Sequence, residues 1–416
     1  MSRPGSSAPE RSIRILRRAG GRRNGAPKGP GAVIIGGDYL GLGIARRLGR
    51  QGVPICVLDD ERSIARFSRY TSYAVRAEDL RDEQATIDAL LNMGRRLGLD
   101  GWVLYPTKDE IVAAISKHRD ELTPLYRVPV PEWEKIRWAS DKRNTYELAR
   151  RVGVPAPRTW YPRSTGDLAR IDGEPPFAVK PAIKQHFIYE TGAKAWRADS
   201  RPELARLFVR ACEVTRHDDE VMVQELIPGD GHFQFAFCAF FRDGSSVGSM
   251  VARRVRQHPP EFGRATTYAE TVDLPALRAR SERLLRAIEY YGLAELEYKQ
   301  DPRDGEYKLL DFNARAWGYH TLGPSAGVDF PLLLFQDQLG RPVLPQRARP
   351  GVHWVRLTTD LPTAAVEISA GRLRPREFLR TIVRDADVEA VFSGRDPGPG
   401  LAEVALLPYL MWKRGF

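Results

Sequence analysis

Cysteine is scarce in this chain: Cys56, Cys212 and Cys238 are the only three in 416 residues, far apart and without CxxC spacing. That argues against a disulfide scaffold or a cysteine-built zinc site and fits a reducing, cytoplasmic setting. No run of 18 or more apolar residues occurs, so the sequence offers no candidate transmembrane helix. The N-terminus lacks the apolar centre of a signal peptide. The seven histidines show no metal-ligand spacing. Neither a Ser–His–Asp nor a Cys–His arrangement is indicated, and no internal repeat is evident.

The chain does have enough apolar residues, 42%, to bury a sizeable core, and its length implies two to four domains. The net charge of +11 is unevenly placed: residues 1–30 hold eight basic side chains against Glu10 alone, a net of +7. That segment is rich in Gly, Pro and Ser and reads as a disordered basic tail. Without it the remainder is only weakly basic, which argues against nucleic acid as a partner.

Ala32-Val33-Ile34-Ile35 is a buried-strand run followed by a glycine-bearing loop, a helix from Ile44, and a second strand ending at Asp59-Asp60. The pattern is that of a dinucleotide-binding unit, which keeps an NAD-dependent oxidoreductase open. Gly36, Gly37, Gly41 and Gly43 do not give a regular GxGxxG, however, and suit a tight turn and close helix packing. A further αβ unit follows, and Pro124 to Trp133, with three prolines, reads as a linker. Ser140 and Asp141 precede a helical periodicity through Tyr146, Leu148 and Val152. Phe177-Ala178-Val179-Lys180-Pro181 is an apolar strand ending in a lysine. Val221-Met222-Val223-Gln224-Glu225-Leu226 is a strand running into Ile227-Pro228-Gly229.

Leu296-Glu297-Tyr298-Lys299-Gln300 and Lys308-Leu309-Leu310-Asp311-Phe312-Asn313 read as two strands around a turn. Asp311 and Asn313, two apart, share a face. For Glu297 to lie opposite Asp311, the loop must be of odd length or one strand must carry a bulge. Two carboxylates and a carboxamide make an all-oxygen donor set, which suits magnesium together with waters and nucleotide phosphates.

In this order the motifs resemble the ATP-grasp superfamily over roughly residues 31–340, and within it the carboxylate–amine ligases. The resemblance implies an α/β protein: a Rossmann-like pre-ATP-grasp domain (31–128), a two-lobed α+β ATP-grasp domain (129–340, lobes about 129–226 and 227–340) and a small C-terminal extension (341–416). It also implies ATP and Mg2+, with Mn2+ as a substitute ion. Lys142 and Lys180 match the nucleotide lysines, and Gln224, Glu225 and Leu226 match the interlobe hinge that reads adenine. Asp230 is the choice for the ribose, with Glu225 next. Glu297, Asp311 and Asn313 match the metal ligands. Among Arg253, Arg254, Arg256 and Arg264, Arg254 is the choice for holding a substrate carboxylate or acyl phosphate, and Arg315 is the second such group.

The chain departs from the family in three places. Gly192 is the only glycine between Lys180 and Lys194, where relatives carry a loop of small residues over the phosphates; Lys184, His186 or Lys194 could close it instead. Asp311 stands where glutamate is commoner, and Ala314 replaces the usual proline before Arg315. The implied activity joins a small-molecule carboxylate to an amine, amino-acid or peptide-like, with ADP and phosphate formed. A grasp-fold kinase and a nucleotide-binding relative without catalysis stay open beside it. The end of the chain, Leu406 to Arg414, is apolar with a basic tip; it is expected to dock on the protein's own core, with peripheral membrane contact as the alternative.

Overall fold

The continuous apolar runs of the first third lie in a sheet covered on both faces, as such runs require. The computed structural model describes residues 13–16, 29–215, 220–229, 231–259, 262–263 and 265–414. Six strands, β1 (Arg14–Leu16), β2 (Ala32–Ile35), β3 (Ile55–Asp59), β4 (Thr71–Arg76), β5 (Trp102–Pro106) and β6 (Tyr126–Arg127), form this sheet in the order β1-β4-β3-β2-β5-β6. All are parallel except β1, which pairs antiparallel with β4. The strand order reverses between β2 and β5, so a crevice opens at their C-terminal ends between residues 36–38 and 107–109.

The glycines of the first loop serve packing, as expected. Gly36 has φ +100°, and a Cβ on Gly41 would sit 2.2 Å from the Gly36 carbonyl. The two features a dinucleotide would need are occupied by the protein itself. Asp38 caps the helix Tyr39–Gly49 by accepting from the amides of Leu40 and Gly41. Asp59 accepts from the Gly37 amide at 2.6 Å. A carboxylate already at the helix N-terminus repels a pyrophosphate, which removes the support for an NAD site.

A second, antiparallel sheet comprises β7 (Thr159–Trp160), β8 (Phe177–Pro181), β9 (Trp196–Ala198) and β10 (Val221–Glu225), ordered β7-β10-β8-β9. Phe177, Val179, Phe187, Leu204 and Phe208 form its separate core. A third sheet holds β11 (Gln234–Arg242), β12 (Ser245–His258), β13 (Ala265–Val272), β14 (Gly292–Gln300), β15 (Tyr307–Asn313), β16 (Gln346–Arg347), β17 (His353–Val355) and β18 (Val388–Glu389). Its order is β15-β14-β11-β12-β13-β17-β18, with β16 beside β12.

Several boundaries differ from the sequence reading. Residues 14–16 of the supposed tail form the edge strand β1, and Ile13 before it is buried in the first core; the rest of 1–28 lies outside the described residues. The apolar triad Ile13, Ile15, Leu16 is short enough to be hidden by its basic surroundings. The segment read as a linker supplies β6. Residues 341–416 are not an appendage, because β16, β17 and β18 extend the third sheet. Buried ion pairs tie this part down further: Arg256 to Asp360 at 2.7 Å, Arg356 to Glu403, and Arg46 to Asp396 at 2.9 Å. Along the final helices Gly398–Ala405 and Leu407–Arg414, Ala402 and Leu406 pack against the core, as expected for Leu406, while Leu401, Val404, Met411 and Trp412 stay exposed, so the end of the chain docks only in part.

Ile13→Asp is expected to lower the melting temperature by several degrees, since burying an isoleucine side chain contributes about 1.5–3 kcal/mol and an unpaired buried carboxylate adds a further penalty. Thermal unfolding of the variant beside the parent tests this; coincident transitions would show that β1 contributes nothing.

Candidate active site

Strands β14 and β15 pair in the order Gln300–Tyr307, Lys299–Lys308, Tyr298–Leu309, and then Glu297–Asp311, Leu296–Phe312 and Glu295–Asn313. Leu310 is therefore an extra residue, a bulge, and it brings Glu297 and Asp311 opposite each other on one face. The bulge's polar groups are satisfied from outside the ladder. The Leu310 carbonyl accepts from the Tyr146 hydroxyl at 3.0 Å, and the Leu309 amide donates to the Pro155 carbonyl at 2.8 Å.

Four oxygen-bearing side chains share this face: Glu295, Glu297, Asp311 and Asn313. The Asn313 amide donates to Glu295 and Glu297, each at 3.1 Å. Arg254 contacts Glu297 at 2.6 Å and Glu295 at 3.7 Å, and Lys142 donates to Asp311. Burial, and next the Glu297 charge, push the Glu295 carboxyl up to about 7 despite Arg254. Burial alone would lower the Arg254 pKa, but Glu297 and Glu295 outweigh it and hold the guanidinium firmly charged. Arg315 reaches Asp109 of the first domain at 2.6 Å and the Asn313 carbonyl oxygen at 3.3 Å.

Lys142, at the start of the helix Lys142–Arg151, follows Asp141, whose side chain caps that helix as expected. Lys180 on β8 donates to Gln224 Oε1 at 2.7 Å and to the Tyr146 hydroxyl at 3.1 Å. Desolvation lowers its pKa to about 8, with Asp311 opposing. Gln224 thus presents its side chain to Lys180 and to Thr159 at 2.7 Å, leaving only backbone for a base to contact. Glu225 is engaged by the Arg158 amide at 3.0 Å, Arg303 at 3.1 Å and Lys308 at 3.2 Å. Asp230 lies outside the described residues.

These side chains converge on two adjoining cavities. One, of about 200 Å³, lies between the second and third sheets and is bordered by Lys142, Lys180, residues 224–229, Arg254, Glu297 and Asp311. The other, of about 290 Å³, borders Arg254, Glu295, Asn313 and Arg315 on one side and Asp38, Tyr39, Thr107 and Asp109 of the first-domain crevice on the other. Arg254 and Glu297 stand at the shared wall. A wider space of about 1010 Å³ continues outward past Asp109 and Arg315 to Tyr189 and Tyr409.

All the candidate residues within the described chain therefore border this pair of cavities, Arg315 and Asn313 on the second one. Of the basic cluster only Arg254 does so: Arg253 pairs with Glu270 and Arg256 with Asp360, and Arg264 lies outside the described residues. Sequence reasoning missed Glu295, although its two-residue spacing from Glu297 was legible, and gave Asp109 and Tyr146 no place in the site. The stretch after Lys180 is not an open loop but a helix, Lys184–Thr191, closed by Gly192 at φ +67°. Its Tyr189 hydroxyl donates to Glu110 at 2.6 Å.

The donor set fits magnesium in its chemistry: Glu297, Asp311 and the Asn313 carbonyl are hard oxygen ligands on one strand face. Among the described residues no three His, Cys, Asp or Glu side chains form a metal cage by themselves. No helix of the described residues is long and apolar enough to cross a membrane.

No protein-family model matches the chain. A D-aspartate ligase from Enterococcus faecium is 25% identical over 300 residues, spanning 68% of this chain and 70% of that protein. An L-amino acid ligase from Bacillus licheniformis superposes with a TM-score of 0.60 at 17% identity, covering 78% of each chain. The biotin carboxylase domain of a 2-oxoglutarate carboxylase from Hydrogenobacter thermophilus, in complex with MgADP and bicarbonate, gives 0.62 at 14% identity, covering 77% of this chain and 73% of that one. The chain has the fold of these proteins, the ATP-grasp fold.

Tyr146→Phe is expected to destabilise the protein by about 1–3 kcal/mol, because it leaves the bulge carbonyl without its donor and Lys180 without one acceptor. Urea unfolding measures this as a lower midpoint at unchanged slope; an unmoved midpoint would show that the hydroxyl does not hold the bulge.

Proposed function

We propose that this chain, an ATP-grasp protein by fold, is an ATP-dependent carboxylate–amine ligase acting on amino-acid-sized substrates. The observation that carries this reading is the meeting of Glu297, Asp311 and Asn313 with Lys142, Lys180, Arg254 and Arg315 around two adjoining cavities. The relatives named D-aspartate ligase and L-amino acid ligase support the same class of substrate.

A free carboxylate is a poor acyl donor, because an amine cannot expel oxide from it near neutral pH. Phosphorylation supplies a leaving group and splits one difficult step into two. A carboxylate oxygen attacks the γ-phosphorus and ADP departs; the amine nitrogen then attacks the acyl carbon, phosphate departs, and the amine proton passes to solvent. Lys180 and Lys142 would offset phosphate charge from the first cavity. The backbone of residues 225–226 would receive adenine. Arg254, on the shared wall, and Arg315, in the second cavity, would hold the acid and its acyl phosphate, since a guanidinium fork matches both. Glu297, Asp311 and Asn313 would hold magnesium, or manganese in its place, which neutralises the β- and γ-phosphates when bound.

With the right acid present, hydroxylamine should trap a hydroxamate even without the amine, and the nucleotide product should be ADP. Asp311→Asn should reduce turnover by about a hundredfold or more. Chromatography of nucleotide products and a colorimetric hydroxamate assay test this; AMP with pyrophosphate, or normal turnover by the variant, would falsify it. A grasp-fold kinase would instead yield a phosphorylated product that survives the amine.

The lowered pKa of Lys180 gives a pH dependence. Phosphates bind the charged ammonium, so ATP affinity should fall as pH rises through about 8. Folding stability should change in the opposite sense: above about 8 the unfolded chain holds this proton while the folded chain releases it, so this group's contribution improves with pH. Lys180→Arg should flatten the affinity profile, because a guanidinium stays charged throughout. Calorimetric ATP titrations across that range decide the matter: equal affinity on both sides of pH 8 for the parent protein is the contrary result.

A further inference from the structure

We propose that the face built from Phe67, Phe392 and the two final helices, Gly398–Ala405 and Leu407–Arg414, is a docking surface for an anionic membrane. This goes beyond the ligase reading and does not depend on it. The final helices expose Leu401 (71%), Val404, Met411 and Trp412 (80%). Soluble chains rarely leave a large tryptophan and several aliphatic groups together in water without use for them. Phe67 and Phe392, also exposed, adjoin the first of these helices: a Cβ on Gly398 would lie 2.5 Å from the Phe67 carbonyl, and one on Gly400 would lie 2.8 Å from the Phe392 ring. The six side chains therefore belong to one region.

Several basic side chains crowd that region. Arg66 lies over the Phe67 ring at 4.6 Å and Arg62 over Tyr409 at 5.5 Å. Arg69 donates to the Arg395 carbonyl at 3.3 Å, and the sequence continues into Lys413 and Arg414. Burial, with the like charges of Arg76 and Arg62, holds the Arg66 pKa below its ordinary value, although Asp59 opposes. Of the acids nearby, Asp396 is buried against Arg46 and Ser68, Glu403 is buried against Arg356, and Glu61 lies 3.8 Å from Lys108, while Glu78 and Asp79 stay exposed along the outer space that Tyr409 and Trp412 also border. Basic groups framing exposed aromatic and aliphatic side chains match an anionic headgroup layer above acyl chains. The rings of Phe67, Phe392 and Trp412 would suit nucleobases or lipid alike, whereas the aliphatic Leu401, Val404 and Met411 beside them suit acyl chains and offer no stacking face, which favours a bilayer. The contact would be superficial, since Leu407–Arg414 has only 8 residues. Tyr409 and Trp412 also border the wide outer space that leads past Arg315, so a docked molecule would turn that opening toward the membrane.

Flotation of the full chain with vesicles of three parts phosphatidylcholine to one part phosphatidylglycerol, at low salt, tests the proposal. The chain should rise with these vesicles and stay behind with pure phosphatidylcholine. Trp412→Ser combined with Leu401→Ser should lower the bound fraction at least about fivefold, as should Arg69→Glu combined with Arg395→Glu, with melting temperatures unchanged. No flotation of the parent overturns the proposal. So does undiminished binding by the Trp412→Ser, Leu401→Ser variant, which would assign the attraction to the basic N-terminal segment. Retention on a single-stranded oligonucleotide without flotation would assign the patch to nucleic acid instead.

Discussion

The extra residue at Leu310 governs which side chains line the cleft. Had the register from Gln300–Tyr307 continued unbroken, Glu297 would oppose Leu310, and Asp311 and Asn313 would turn toward the apolar face that holds Leu296 and Tyr298. One inserted residue reverses this and gathers four oxygen-bearing side chains on the cleft face. The bulge also joins other parts of the fold. Its carbonyl is held by Tyr146 and its flanking amide by Pro155, while the Lys142 amide donates to the Ala182 carbonyl at 3.1 Å. Both lobes are thereby referred to the same irregularity.

A second constraint follows from burial. Arg254 with Glu297, Lys142 with Asp311, and Arg315 with Asp109 neutralise one another in a partly dry cleft. Breaking a buried pair costs about 3–5 kcal/mol because the abandoned charge has no solvent. A nucleotide that drew Lys142 toward its phosphates would leave Asp311 in that position, and a divalent cation on the same strand face would offset the loss. On the proposed reading, metal and nucleotide binding would therefore be linked through the chain's own ion pairs.

Much of this was legible in the sequence because it is local. Alternation along a strand placed Asp311 and Asn313 together, and the apolar run before Lys180 marked the strand that carries it. The need for a bulge or an odd loop followed from counting residues, though the choice between them did not. What escaped was non-local. Ile13 to Leu16 needs β4, β16 to β18 are two or three residues each, and Asp396 finds Arg46 across 350 positions; none has enough periodicity to be read alone. Arg254 was the choice from the arginine cluster, but the reason it is the one at the cavities is non-local too. The pairing of β12 with β13 shifts between Arg254 and Arg256, and only that irregularity, together with Glu270 and Asp360 as partners, separates the three.

The helix Lys184–Thr191 illustrates how a departure from a family pattern can have its own physical logic. A loop of small residues covers phosphates with free amides, whereas amides within a helix are largely committed to carbonyls of the preceding turn. This chain instead packs Phe187 into the second core and sends Tyr189 outward to Glu110, with Arg81 lying over the Tyr189 ring at 4.3 Å. The small lobe is therefore held against the first domain by side chains, on the same side as Asp109 and Arg315. Lys194, beyond the Gly192 end of this helix, borders both inner cavities. On the proposed reading, Lys194 would put positive charge near the nucleotide phosphates from a side chain rather than from a loop of free amides.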